Sequence, residues 1–235
     1  MMERIAEASP RFQAMMAGVI GWITTTAGFA AIVRGKLVVY GDAAATAHNI
    51  LAHELLFRLA FAGDVIATLY IAYTLLLYNL FRPVNRSLSL LAAFFSLLGC
   101  AIGTLTCLFH LAPLVVLGGA QSLRAFNVEQ LQALALMLLK LRSQAEQIDL
   151  VFFGFYDLLI GCLILRSTFL PRILGGLMAL AGLAWLIFLL PPLANYLSYY
   201  ILPLGFLAEL LLMIWLLVKG VNVQRWMEQA GAAGE

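Results

Sequence analysis

The chain has 235 residues, 63% of them hydrophobic and 11% charged, with a formal net charge of +2. A soluble domain is nearer half apolar and a quarter charged, so no water-soluble core could hide this much apolar surface, and a mean hydropathy of +0.97 excludes disorder as well. The composition is that of an all-α, polytopic membrane helical bundle, and 14 Lys+Arg against 12 Asp+Glu gives no case for nucleic acid as a partner.

The N-terminal MMERIAEASPR places Glu3 and Glu7 beside Arg4. The apolar run after it, Phe12 to Val33, exceeds the roughly 7–15 residues of a secretory core. It reads as an uncleaved first span. Six segments can cross about 30 Å of hydrocarbon at about 1.5 Å per residue. They are approximately 12–33, 60–81, 88–112, 148–167, 172–190 and 201–219. Backbone amides in lipid must pair within their own segment, so these are helices.

The short turns RPVNR (82–86) and RSTFLPR (166–172) carry basic residues on one side, with Arg4, Arg11, Lys219 and Arg225. Arg34, Lys36, Arg58, Arg124, Lys140 and Arg142 fall on the other. The positive-inside rule then puts both termini in the cytoplasm, in an inner (plasma) membrane. The spans group as three hairpins joined on the outer side.

Two outer connections share a plan, an amphipathic helix running into the next span. Asp42 caps the first, and Asn127 with Gln130 forms a capping-box pattern for the second. Helices over 42–81 and 127–167 would each be about 60 Å long if straight. Each must protrude, bend or lie along the interface, and Gly63 and Gly154 are the expected bend points. Tyr40, Tyr196, Tyr199, Tyr200 and Trp226 suit the membrane interface.

Ionisable groups within spans are costly and usually face a bundle interior or a water cavity. Counting from the basic boundaries at about 1.5 Å per residue, Asp157 and Glu209 fall near the midplane. Asp64, Asp149 and His110 fall towards the outer face. Glu54 and Arg58 are spaced to pair along a helix. Glu146, Asp149 and Asp157 share a stripe of about 80° at 100° per residue. Such acids can bind a cation, carry a proton because crowding favours the neutral acid, or tie helices together by pairing with Arg58, Lys140 and Arg142. Gly99 and Gly103 have the spacing that lets another backbone approach.

His48 and His53 diverge by about 140° around a helix and cannot share one ion. His53 with Asp64 and His110 is a geometrically open set, but no metal-site motif supports it. Cys100, Cys107 and Cys162 lie in apolar runs as small hydrophobes. No residue pattern specifies a cofactor.

The segments GDAAATAHNILAHELLFRLAFAGD (41–64), LLYNLFRPVNRSLSLLAAFF (76–95), VEQLQALAL (128–136), LVFFGFYDLLIGCLILRSTFLPRILGGLMALAGL (150–183) and FLAELLLMIWLLVKGV (206–221) together resemble bacterial integral-membrane domain-of-unknown-function family 4386. The resemblance covers nearly the whole chain. It implies a multi-span helical bundle and brings no activity. It favours Glu54, Arg58, Asp64 and Glu209 as site residues, with the Arg82–Pro83 and Pro171–Arg172 turns. Family members often carry His where this chain has Arg142 and Tyr156, and apolar or small residues in place of Glu146, Asp149 and Asp157. His48 and His53 look peculiar to this chain.

Two functions compete. The first is binding or transport of a small polar solute, cation or proton through an outer-half acidic cavity formed by Glu54, Arg58, Asp64, His110, Asp149, Asp157 and Glu209. The second is an intramembrane enzyme acting on a lipid or isoprenoid-like substrate, with the same acids as general acid and base. A structural or partner-binding membrane protein is the third. The partners implied are the lipid bilayer and a small-molecule or ion ligand.

Overall fold

The computed structural model describes residues 9–28, 30–119 and 123–232. Among the described residues there is no strand. The helices in chain order are α1 (Pro10–Gly28), α2 (Ala30–Leu37), α3 (Ala43–Ala52), α4 (Glu54–Ala67), α5 (Tyr70–Phe81), α6 (Arg86–Leu117), α7 (Val128–Arg166), α8 (Arg172–Trp185), α9 (Pro191–Val218) and α10 (Val223–Ala232). A 3-10 turn, Leu186–Leu189, follows α8.

Among the described residues six stretches are long and apolar enough to cross a membrane: Pro10–Leu37, Glu54–Phe81, Arg86–Leu117, Val128–Arg166, Arg172–Leu189 and Tyr196–Val218. Large apolar side chains point outward along them, Leu55, Leu108 and Ile173 each about two-thirds exposed or more. A soluble protein would not tolerate such continuous apolar surface. The chain is an all-α, multi-pass membrane protein whose surroundings are a lipid bilayer.

The two amphipathic extensions start as their capping residues predict. Asn127 Oδ1 accepts from the Gln130 N–H at 2.8 Å, and Gln130 Oε1 accepts from the Asn127 N–H at 2.9 Å. From that capping box α7 runs 39 residues without interruption. Asp42 caps α3, accepting from the Ala45 N–H at 2.8 Å. The single helix expected over 42–81 is instead three. It breaks at His53, whose φ is −124° and ψ 40°, and nothing in its neighbours explains that break. It breaks again at Thr68–Leu69, where Thr68 Oγ1 donates to the Val65 carbonyl at 2.6 Å. Back-bonding of this kind competes with the helix ladder and bends the chain. Gly63, the expected bend point, lies inside α4.

The chain divides into two compact units. Unit 1 holds the described residues up to Ile23, Leu69–Cys100 and those from Ile148 onward. Its core is built from residues at helical spacing: Tyr73, Leu77 and Leu80 of α5, Tyr156, Ile160 and Leu163 of α7, Met178 and Ala181 of α8, and Leu212 and Leu216 of α9. α7 and α8 approach closely at two glycine pairs. A Cβ on Gly154 would lie 3.1 Å from the Gly182 carbonyl, and one on Gly161 would lie 2.8 Å from the Gly175 carbonyl. Gly154 therefore admits a neighbouring helix where a bend was expected, as small residues do in membrane packing. Gly99 is met by side chains, Phe153 and Asp149, at 2.9 and 3.0 Å from an added Cβ. The short α10 is tied down by Trp226, whose Nε1 donates to the Leu80 carbonyl at 2.9 Å.

Unit 2 holds Thr24–Thr68 and Ala101–Gln147. Its apolar core is small: Leu37, Val38, Ile50, Phe57, Leu136 and Leu139. Thr46 Oγ1 accepts from the Val39 N–H at 3.0 Å and donates to the Val39 carbonyl at 3.1 Å, fixing the turn between α2 and α3. Gly41, with φ at 114°, supplies the left-handed residue that this turn needs.

Candidate functional site

Four helices of unit 2 each bring a charged or polar side chain to one place. Arg34 comes from α2, Asp64 from α4, His110 from α6, and Arg142 and Glu146 from successive turns of α7. Arg34 Nη1 donates to both oxygens of Asp64 at 3.1 and 3.2 Å, and its Nη2 donates to Glu146 Oε1 at 2.9 Å. Arg142 Nη2 donates to Asp64 Oδ2 at 2.7 Å, and its Nη1 donates to Glu146 Oε1. Two guanidiniums thus clamp two carboxylates in a closed ring. Arg34, Arg142 and His110 are buried, at 7%, 2% and 0% exposure. Charges so placed persist only when each finds partners.

His110 completes the network. Its Nδ1 lies 2.5 Å from Asp64 Oδ2 and its Nε2 3.0 Å from the Phe57 carbonyl oxygen. The Phe57 and Phe61 rings hold the imidazole edge-on at centroid distances of 4.4 and 5.8 Å. Both ring nitrogens face oxygen atoms, so the imidazole is fixed from both sides, by Asp64 and by the Phe57 carbonyl. Two guanidiniums and two carboxylates thus balance one another around the imidazole.

A cleft of about 230 Å³ opens beside this network, lined by Arg34, Gly35, Val38, Tyr40, Leu139, Arg142 and Glu146. Among the described residues Arg142 Nε, buried like the rest of its side chain, has no hydrogen-bond partner.

Unit 1 holds a second group. Trp185 Nε1 lies 3.1 Å from Asp157 Oδ2 and 3.2 Å from Glu209 Oε1, so one indole N–H serves two acids. Gly205 makes room for that ring, since a Cβ there would stand 2.3 Å from it. Tyr70 packs against Tyr73 and Tyr156 at ring centroid distances of 4.8 and 6.1 Å. Among the described residues no salt bridge involves Asp157 or Glu209.

The residues singled out from sequence therefore separate. Asp64 and His110 belong to the ion network. Asp157 and Glu209 meet at Trp185. Glu54 and Arg58 pair with each other at 2.7 Å, about half exposed, and neither is in the network. Asp149 sits half-buried beside Gly99. Of the acids on the α7 stripe, Glu146 joins the ion network, Asp157 meets Trp185, and Asp149 is in neither group. His48 and His53 are exposed. Among the described residues no three His, Cys, Asp or Glu side chains form a metal-binding set.

Four members of these groups were not anticipated as site residues: Arg142 and Glu146, read from sequence only as a pairing cation and a member of an acidic stripe, and Arg34 and Trp185. Arg34 reads in sequence as a loop charge, yet it lies in α2 with its head buried. Its neighbours Gly35 and Lys36 made the segment look like a connection. Trp185 gives no sequence signal beyond its place in an apolar run.

Residues 16–220 match the family model described as Domain of unknown function (DUF4386), and the chain belongs to that family. An uncharacterized protein of Archaeoglobus fulgidus is 28% identical over 159 residues, covering 66% of this chain and 80% of that relative. No solved structure matches the chain.

Proposed function

We propose that this member of the family binds a small polar solute bearing an anionic group and carries it across an inner membrane, with both termini in the cytoplasm. The ion network of unit 2 is its site. The single observation behind this reading is a pair of buried guanidiniums, Arg34 and Arg142, on the wall of a cleft. Ionisable groups at membrane depth are expensive and usually mark a substrate path. A guanidinium presents a planar fork suited to a carboxylate or phosphate. An incoming anion would take over a bond now held by Asp64 or Glu146 and could satisfy Arg142 Nε. The cleft volume of about 230 Å³ equals the share of roughly seven or eight waters, which suits a small solute. A free metal cation finds little to attract it here, because each acid of the network already meets two guanidiniums.

A second reading has its own support. Asp157 and Glu209 share one N–H donor and, among the described residues, form no salt bridge, an arrangement suited to holding a proton between two acids. Proton binding there would be compatible with coupling to solute movement.

The test uses purified protein in liposomes and a panel of labelled small carboxylates. Saturable binding of at least one member is expected. It should fall at least ten-fold in Arg142→Gln, and stay unchanged in Glu54→Gln. Gly35→Leu gives a check that spares the network, because Gly35 lines the cleft and a Cβ there meets nothing within 4 Å. It should block binding while leaving the fold intact. No saturable binding of any carboxylate, or equal binding by both cleft variants and the parent, would overturn the proposal.

A further inference from the structure

A second cleft, of about 370 Å³, lies within unit 1 and takes no part in the groups above. Lys219, Arg225, Thr168 and Asn222 line its polar side, and Phe169 and Trp215 line its apolar side. No Asp or Glu lines it. Among the described residues neither Lys219 nor Arg225 takes part in a salt bridge. Arg225 Nη1 donates to the Thr168 carbonyl, at 3.3 Å.

The position of this cleft along the chain fixes its depth. Lys219 is the first residue after the span Tyr196–Val218, and Thr168 follows the span Val128–Arg166 by two residues. The walls are thus built where two membrane crossings end, at headgroup level. Gly220, with φ at 65°, turns the chain there so that α10 can leave α9. α10 is anchored by Trp226 to the Leu80 carbonyl and by Gln229 Oε1, which accepts from the Thr168 N–H at 3.1 Å. It leaves Val223 and Met227 facing outward, as expected of an amphipathic helix lying in the interface. Arg166 and Arg172, both exposed, bracket the loop that supplies Thr168 and Phe169.

We propose that this cleft binds the phosphodiester headgroup of an anionic phospholipid. The phosphate sits between Lys219 and Arg225, Thr168 and Asn222 supply polar contacts, and an acyl chain runs along Phe169 and Trp215. Two cations without acid partners, at headgroup depth and beside an apolar wall, match that chemistry. Basic pockets at span ends are known receptors for acidic lipid headgroups. The proposal does not depend on the solute reading.

The experiment is native mass spectrometry of the full chain with phosphatidylglycerol, with phosphatidylcholine of the same acyl chains, and with inorganic phosphate. Each basic residue at an anionic surface contributes about five-fold, so two give a preference of about 25-fold for phosphatidylglycerol over phosphatidylcholine. The double variant Lys219→Gln, Arg225→Gln should bring that preference to near parity. Lys219→Arg, Arg225→Lys keeps both charges and should keep the preference, which separates lost charge from lost fold. Inorganic phosphate should not displace the lipid. Equal retention of both lipids by the parent, an unchanged preference in the neutral double variant, or displacement by inorganic phosphate would each overturn the proposal.

Discussion

Replacing Asp64 by Asn removes one negative charge and almost no volume, so it isolates the electrostatics of the unit 2 network. In the parent, Asp64 receives Arg34 Nη1, Arg142 Nη2 and the His110 Nδ1 contact. In Asp64→Asn, two buried guanidiniums are left with Glu146 alone. Breaking a buried pair by removing one partner costs about 3–5 kcal/mol, because the other charge stays stranded. For a chain of this size each kcal/mol lowers Tm by about 2–4 °C, so a drop on the order of 10 °C is expected. Glu54→Gln makes the same chemical change at the half-exposed Arg58 pair, where the loss is about 0–1 kcal/mol. The assay is thermal unfolding in detergent, followed by gel filtration of the remaining folded protein. Adding Arg34→Gln to Asp64→Asn should restore part of the loss, since it removes a stranded charge. A Tm for Asp64→Asn within about 2 °C of the parent, or an equal drop for Glu54→Gln, would refute the argument that burial makes this network costly to break.

Two further outcomes follow from unit 1. Trp185→Phe removes the N–H that Asp157 and Glu209 share, and should destabilise by about 2–3 kcal/mol in the same thermal assay. Adding Glu209→Gln supplies an amide donor near Asp157, so the double variant should be more stable than the sum of the two losses; strict additivity would show that the acids are independent. Gly205→Ala drives a methyl group into the Trp185 ring, 2.3 Å away, whereas Gly176→Ala meets nothing within 4 Å. The first should cost about 1–3 kcal/mol and the second nothing, as read from the two melting curves.

Hydropathy and length alone gave six crossings, because the bilayer demands a continuous apolar run whatever the tertiary fold. Local chemistry also carried the Asp42 cap, the Asn127–Gln130 capping box and the Glu54–Arg58 pair, each formed between residues at most four apart. Partners further away escaped. Arg34 and Glu146 meet across 112 positions, and Trp185 joins Asp157 and Glu209 from 28 and 24 positions away. Periodicity says which face of a helix a side chain occupies, and counting residues says how deep it lies. Neither says which other helix stands opposite, because that is decided when small residues such as Gly161 and Gly175 let two backbones close together. The acids were legible as exceptions to an apolar environment; their division between a guanidinium clamp and an indole-bridged pair was fixed by packing.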